Sequence, residues 1–150
     1  MMTEKKNILI INGANLNLLG KREPAIYGST KFEDCLEELR KEFKDCRIDY
    51  FQSNIEGEIV NQLQSFRGDA VIINAGGYTH TSVVIRDAIQ YRTDKSNADA
   101  LKVFEVHISN IYSREEFRHT SLLSPVCNGS IIGFGLLGYK LAVLAVLNKD

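Results

Sequence analysis

Short β-branched or aromatic runs recur along this chain at residues 8–11, 48–51, 70–73, 103–108 and 130–134, with helically spaced apolar residues between them. Strands apolar on successive residues, rather than on alternate ones, must be covered on both faces. That requires a parallel sheet between two helical layers, joined by right-handed crossovers. Five such β-α units predict an α/β, flavodoxin-like three-layer sandwich with a five-stranded parallel sheet in the order 2-1-3-4-5. The chain has 150 residues, of which 44% are hydrophobic and 25% charged, so one core suffices and residues 1–150 read as a single domain.

Local signals divide the units. Thr30 with Glu33 three residues on predicts a capping box, followed by a helix whose stripe is Phe32, Cys35, Leu36, Leu39 and Phe43. Ser53 with Glu56 repeats the pattern before a helix turning Ile59, Val60, Leu63 and Phe66 inward. A Gly76-Gly77 turn leads to a helix near 82–91, the polar stretch 92–100 reads as a surface excursion, and 113–117 as a short helix. The last helix, 136–147, is apolar around most of its circumference, which predicts that part of it lies in a subunit interface.

Composition narrows the function classes. Eighteen basic and nineteen acidic residues give a net charge of −1, so nothing attracts a nucleic acid globally and an anionic ligand must be held by local charges. The polar start MMTEKKN has no signal-peptide or transit-peptide character, and no apolar run reaches membrane-spanning length. The expectation is a cytoplasmic protein with no membrane partner. Cys35, Cys46 and Cys127 show no CxxC spacing and His80, His107 and His119 are dispersed, so reduced thiols and no metal are expected.

In a sheet of this order ligands bind beyond the carboxyl ends of the strands, where strands 1 and 3 diverge. Asn12, Asn74 and His107-Ile108-Ser109 stand at three such ends. Glu105, two residues before His107, shares its strand face; it either orients and charges the imidazole or forms a structural pair with it. Of Arg114 and Arg118, one suits a carboxylate clamp and the other a surface ion pair. In the Gly- and Pro-broken loop LGKREPAIY, Arg22 precedes Tyr27 by five residues. A phenol ionises near pH 10, and a guanidinium that never deprotonates can bring a phenolate into reach at neutral pH. That loop also reads as a lid.

The stretches INGANLNLLGKREPAIYG, QSNIEGE, NAGGYTHTSVVIRDAI, EVHISNIYSREEFRHTSLLSP and GFGLLGY together resemble the type II 3-dehydroquinate dehydratases over residues 11–139. The resemblance implies a cofactor-free trans elimination of water from 3-dehydroquinate through an enolate. On matching positions it makes Tyr27 the base, Arg22 its activator, His107 the general acid and Asn12 the holder of a water near the enolate oxygen. It places substrate contacts on Asn74, His80, Ile108, Ser109 and Arg118, and on Asp87, which serves a neighbouring subunit's site. It further implies a homo-oligomer, trimers packed into a dodecamer. Ala14 stands where the family usually has proline, and Ile55 and Tyr112 where histidine is common.

Rival readings fare worse. The loop after strand 1 has neither GxGxxG nor GxxxxGK[ST], which weighs against a nucleotide-binding module. A Schiff-base mechanism needs a lysine at the crevice, and Lys102 and Lys140, the lysines inside predicted core elements, do not end strands there.

Overall fold

A computed structural model describes residues 4–21, 25 and 30–148. Arg22 and Tyr27 lie outside the described residues. The strands are β1 (Lys6–Asn12), β2 (Cys46–Gln52), β3 (Ala70–Asn74), β4 (Lys102–His107) and β5 (Gly129–Ile132), and the longer helices α1 (Phe32–Glu42), α2 (Glu56–Ser65), α3 (Val83–Thr93) and α4 (Leu137–Leu147). The strands form one parallel sheet in the order β2-β1-β3-β4-β5, as the run of apolar strands predicts.

Strand pleat assigns the layers. Ile8 and Ile10 of β1 point into one core with Phe32, Leu36 and Leu39 of α1 and Tyr139, Ala142, Val143 and Val146 of α4. Leu9 and Ile11 point to the other, against Ile59 and Leu63 of α2 and Ile85, Ala88 and Ile89 of α3. Each large aliphatic side chain so buried contributes about 1.5–3 kcal/mol, enough to fix the register on both faces. No helix among the described residues is long and apolar enough to cross a membrane. On α4, Leu137, Leu144 and Leu147 remain exposed.

Two glycines bring the switch point together. The Gly13 N–H donates to the Asn74 carbonyl at 2.7 Å, and a Cβ on Gly13 would collide with the carbonyl of Ala75. Gly76 has φ +64°, and a Cβ there would sit 2.8 Å from the Ala14 carbonyl. The chain leaving β1 therefore lies directly on the chain leaving β3.

Local signals fared less well than the layer pattern. Lys31, not Thr30, is the N-cap of α1, and no side chain bonds there. Ile55 caps α2; Ser53 Oγ accepts from the Ile55 N–H at 2.9 Å and donates to Glu58 at 2.6 Å, so the hydroxyl closes a turn before the helix and Glu58, not Glu56, answers it. Ser82 does cap α3, accepting from the Ile85 N–H at 3.0 Å. The expected helix at 113–117 is two 3-10 turns, Ile111–Ser113 and Glu116–Arg118, the first capped by Asn110. Arg92, read as the start of a surface excursion, lies within α3 and is buried, tied to Asp99 at 3.1 Å and to the Phe66 carbonyl at 3.0 Å.

Candidate active site

The carboxyl ends of β1, β3 and β4 open into a crevice lined by Ala14, Asn74, Gly76, His80, His107, Ser109, Arg114 and Arg118 among others. It occupies the place that the strand order demands.

Asn12 and Asn74 are register partners across β1 and β3, and both are buried. The two differ in access. Asn74 lines the crevice, whereas Asn12 lies behind it, its Oδ1 accepting from the Tyr139 hydroxyl at 2.7 Å and its Nδ2 reaching the Tyr50 hydroxyl at 3.4 Å. Asn74 Nδ2 donates to the same Tyr139 oxygen at 3.0 Å, and Asn74 Oδ1 accepts from the Gly76 N–H at 3.2 Å.

Glu105 and His107 share one face of β4, as their spacing requires. Glu105 is fully buried, a placement that normally favours the neutral acid. Its environment reverses that preference. Oε2 accepts from Thr79 and, at 2.7 Å, from Ser121; Oε1 accepts from Ser124 and, at 3.2 Å, from Ser130. Ser121 Oγ in turn accepts the N–H groups of Leu123 and Ser124, each at 3.1 Å, so its proton is left for the carboxylate. His107 Nε2 lies 3.1 Å from Oε2, within ion-pair reach though not aligned for a hydrogen bond. Burial pushes the Glu105 pKa up, but the imidazole and the Ser124 and Thr79 hydroxyls outweigh it and hold the group at about 2. At neutral pH a fixed anion thus sits at the back of the crevice against His107.

His80 is stacked near His107, ring centroids 6.4 Å apart. Its Nδ1 bonds the Thr120 carbonyl at 2.8 Å, and since a carbonyl only accepts, that nitrogen carries the proton. Burial pushes the His80 pKa below its ordinary value, against the upward pull of that carbonyl. A neutral His80 therefore has Nε2 as its acceptor.

The mouth of the crevice is cationic. Arg118 Nε donates to Glu115 at 3.2 Å and lies over the Phe117 ring, while Arg114 Nε is 3.8 Å from the same carboxylate and Nη1 is 3.5 Å from Ser109 Oγ. Instead of dividing into one clamp and one surface pair, both arginines line the crevice and share Glu115. Ile108, buried, and Ser109 also line it. Asp87 stands apart on α3, exposed and 3.1 Å from Arg86.

Of the residues anticipated from sequence, Asn74, His80, Glu105, His107, Ile108, Ser109 and Arg118 converge here; Asn12 lies just behind. Sequence reading passed over Thr79, Ser121, Ser124 and Ser130, which come from three separate segments. One signal was available: Ser130 is the β5 register partner of Glu105. Among the described residues no cluster of three or more His, Cys, Asp or Glu is placed to hold a metal ion. Chemically, the crevice combines donors and cations suited to an anionic, hydroxylated ligand with an imidazole backed by a carboxylate, a proton donor for a leaving oxygen.

The family model of dehydroquinase class II matches residues 6–147. The chain is 51% identical over 144 residues to a 3-dehydroquinate dehydratase of Campylobacter jejuni subsp. jejuni, covering 93% of this chain and 86% of the relative. It is likewise 51% identical to the 3-dehydroquinate dehydratase of a Nitratiruptor species, covering 93% and 87%. Its structure superposes on the crystal structure of a type II dehydroquinase from Butyrivibrio crossotus with a TM-score of 0.89 at 41% identity, covering 97% of this chain and all of that one. The corresponding values for a type II dehydroquinase from Propionibacterium acnes are 0.86, 34% and 98%, again covering all of that chain.

Proposed function

The chain belongs to the class II dehydroquinases and is a hydro-lyase, and on that premise we propose that it removes water from 3-dehydroquinate by trans elimination through an enolate. The proton lost lies α to a ketone, a carbon acid that needs both a strong base and a partner for the oxyanion that forms. Tyr27, as the phenolate held by Arg22, takes that proton. Charge moves to the ketone oxygen, where a water held by Asn12 donates to it. The enolate then collapses, the carbon–oxygen bond to the departing hydroxyl breaks, and His107 supplies the proton that lets it leave as water, giving 3-dehydroshikimate.

The observation that carries this reading is the ionised Glu105 beside His107 Nε2. The carboxylate, 3.1 Å from Nε2, orients the ring and opposes any other placement of positive charge as His107 donates to the leaving oxygen. Arg118, His80, Asn74, Ile108 and Ser109 bind the substrate's carboxylate and hydroxyls. No cofactor takes part.

Exposed Leu137, Leu144 and Leu147 on α4 support a homo-oligomer, which we take to be a dodecamer of trimers in which Asp87 reaches a neighbour's site. The place of action is the cytoplasm. The test is to add 3-dehydroquinate to the protein in chelator-treated buffer and follow near-ultraviolet absorbance of the conjugated product, with Tyr27→Phe in parallel. The wild type should turn over, and Tyr27→Phe should lose about 10²-fold or more. A folded wild type without turnover refutes the dehydratase reading; a fully active Tyr27→Phe moves the base elsewhere.

A further inference from the structure

Tyr139 sits on α4, far in sequence from both strand-end asparagines, yet its hydroxyl bonds the side chains of both. We propose that Tyr139 is a positioning residue for the dehydration: its hydroxyl couples the orientation of the Asn12 carboxamide to that of Asn74. This rests on the dehydratase reading of the site.

A phenol has one proton to give and lone pairs to receive. Tyr139 gives its proton to Asn12 Oδ1 at 2.7 Å, which makes the opposite edge of Asn12 the donor: Nδ2, with one N–H on the Tyr50 hydroxyl at 3.4 Å and a second to give. Having given it, the hydroxyl can only accept from Asn74, and it does so from Nδ2 at 3.0 Å. The same orientation of Asn74 is held from its other edge, where Oδ1 accepts from the Gly76 N–H at 3.2 Å. The hydroxyl therefore couples the two amides: with Asn74 Nδ2 donating into it, its one proton goes to Asn12, whose carboxamide can otherwise rotate by half a turn at little steric cost. The arrangement matters for an enolate, because a donor edge stabilises developing negative charge and an acceptor edge opposes it.

The phenol is built to stay in this role. Its ring is fully buried and meets Phe32 edge-on, centroids 4.8 Å apart. Burial pushes its pKa far above the ordinary phenol value, so it stays neutral and keeps its proton. The hydroxyl reaches the switch point from the helix layer, while the asparagines are carried by the sheet.

Tyr139→Phe removes that hydroxyl and little else. Its kcat for 3-dehydroquinate should fall about tenfold or more, because two buried amides lose their fixed partner. Phe32→Leu, which disturbs the same ring packing without touching the hydroxyl, serves as the control and should lower the melting temperature while leaving kcat within about twofold. Coupling is the second readout: Tyr139→Phe and Asn12→Ala should combine with far less than additive loss. If Tyr139→Phe keeps wild-type kcat, or if it and Phe32→Leu lose activity only in proportion to unfolded protein, the proposal is wrong. An inactive wild type would instead overturn the dehydratase reading itself.

Discussion

Two glutamates, ten residues apart in sequence, each face basic side chains at this crevice, and they behave oppositely. Glu105 is fully buried, receives hydroxyls from Thr79, Ser121, Ser124 and Ser130, and faces His107 at 3.1 Å. Glu115 is exposed and lies between Arg114 and Arg118 at 3.8 and 3.2 Å. In the low-dielectric interior an anion persists only when every lone pair is answered, so the first group is rigid and costly to disturb. Glu115 itself lies in water, which screens its pairs with the two partly covered arginines and leaves them weak. The first arrangement suits a proton donor that must hold one geometry; the second suits cations that exchange one carboxylate for another when substrate arrives.

That contrast breaks most visibly at Glu105. Glu105→Gln should lower kcat by about 10²-fold or more while KM changes little, since it removes the negative charge that faces His107. The same carboxylate links stability to acid. Its folded pKa of about 2 lies below the ordinary 4.5, so its contribution is fully present above about pH 4.5 and is lost as pH falls toward 2. Glu105→Gln should flatten that part of the stability–pH curve.

Arg118→Ala tests the other side. Removing this half-buried cation from the mouth should raise KM about tenfold with kcat within about threefold, and added salt should raise the wild-type KM in the same way.

The smallest expected effect comes from the hydroxyl shell. In Ser124→Ala, Oε1 of Glu105 keeps Ser130 alone among its described hydroxyl donors. The charged form is then less favoured, the Glu105 pKa rises, and acid destabilisation begins at a higher pH, with kcat reduced about three- to tenfold. An unchanged acid-unfolding midpoint would show that the shell does not hold the charge.

How much of this was legible beforehand follows from how locally each feature is encoded. The sheet order and both helical layers were readable because apolar runs such as Ile8-Leu9-Ile10-Ile11 carry the two-sided burial in consecutive residues. The strand ends followed from the sheet, and with them Asn74 and His107. Caps were less readable, because Thr30 and Ser53 are good capping residues placed one or two positions too early. Of the hydroxyl shell only Ser130 left a trace, as the register partner of Glu105; Thr79, Ser121 and Ser124 are ordinary polar residue types until the fold gathers them around one carboxylate. Asn12 was placed correctly at its strand end, but that its amide turns toward Tyr139 is a fact of tertiary packing.

The division between a fixed acid centre and an exchangeable cationic mouth is tested most directly by measuring kcat and KM for 3-dehydroquinate on Glu105→Gln and Arg118→Ala side by side with the wild type. The expected result is a loss confined mainly to kcat in the first and to KM in the second. A Glu105→Gln enzyme that keeps its kcat, or an Arg118→Ala enzyme whose loss lies in kcat alone, would contradict it.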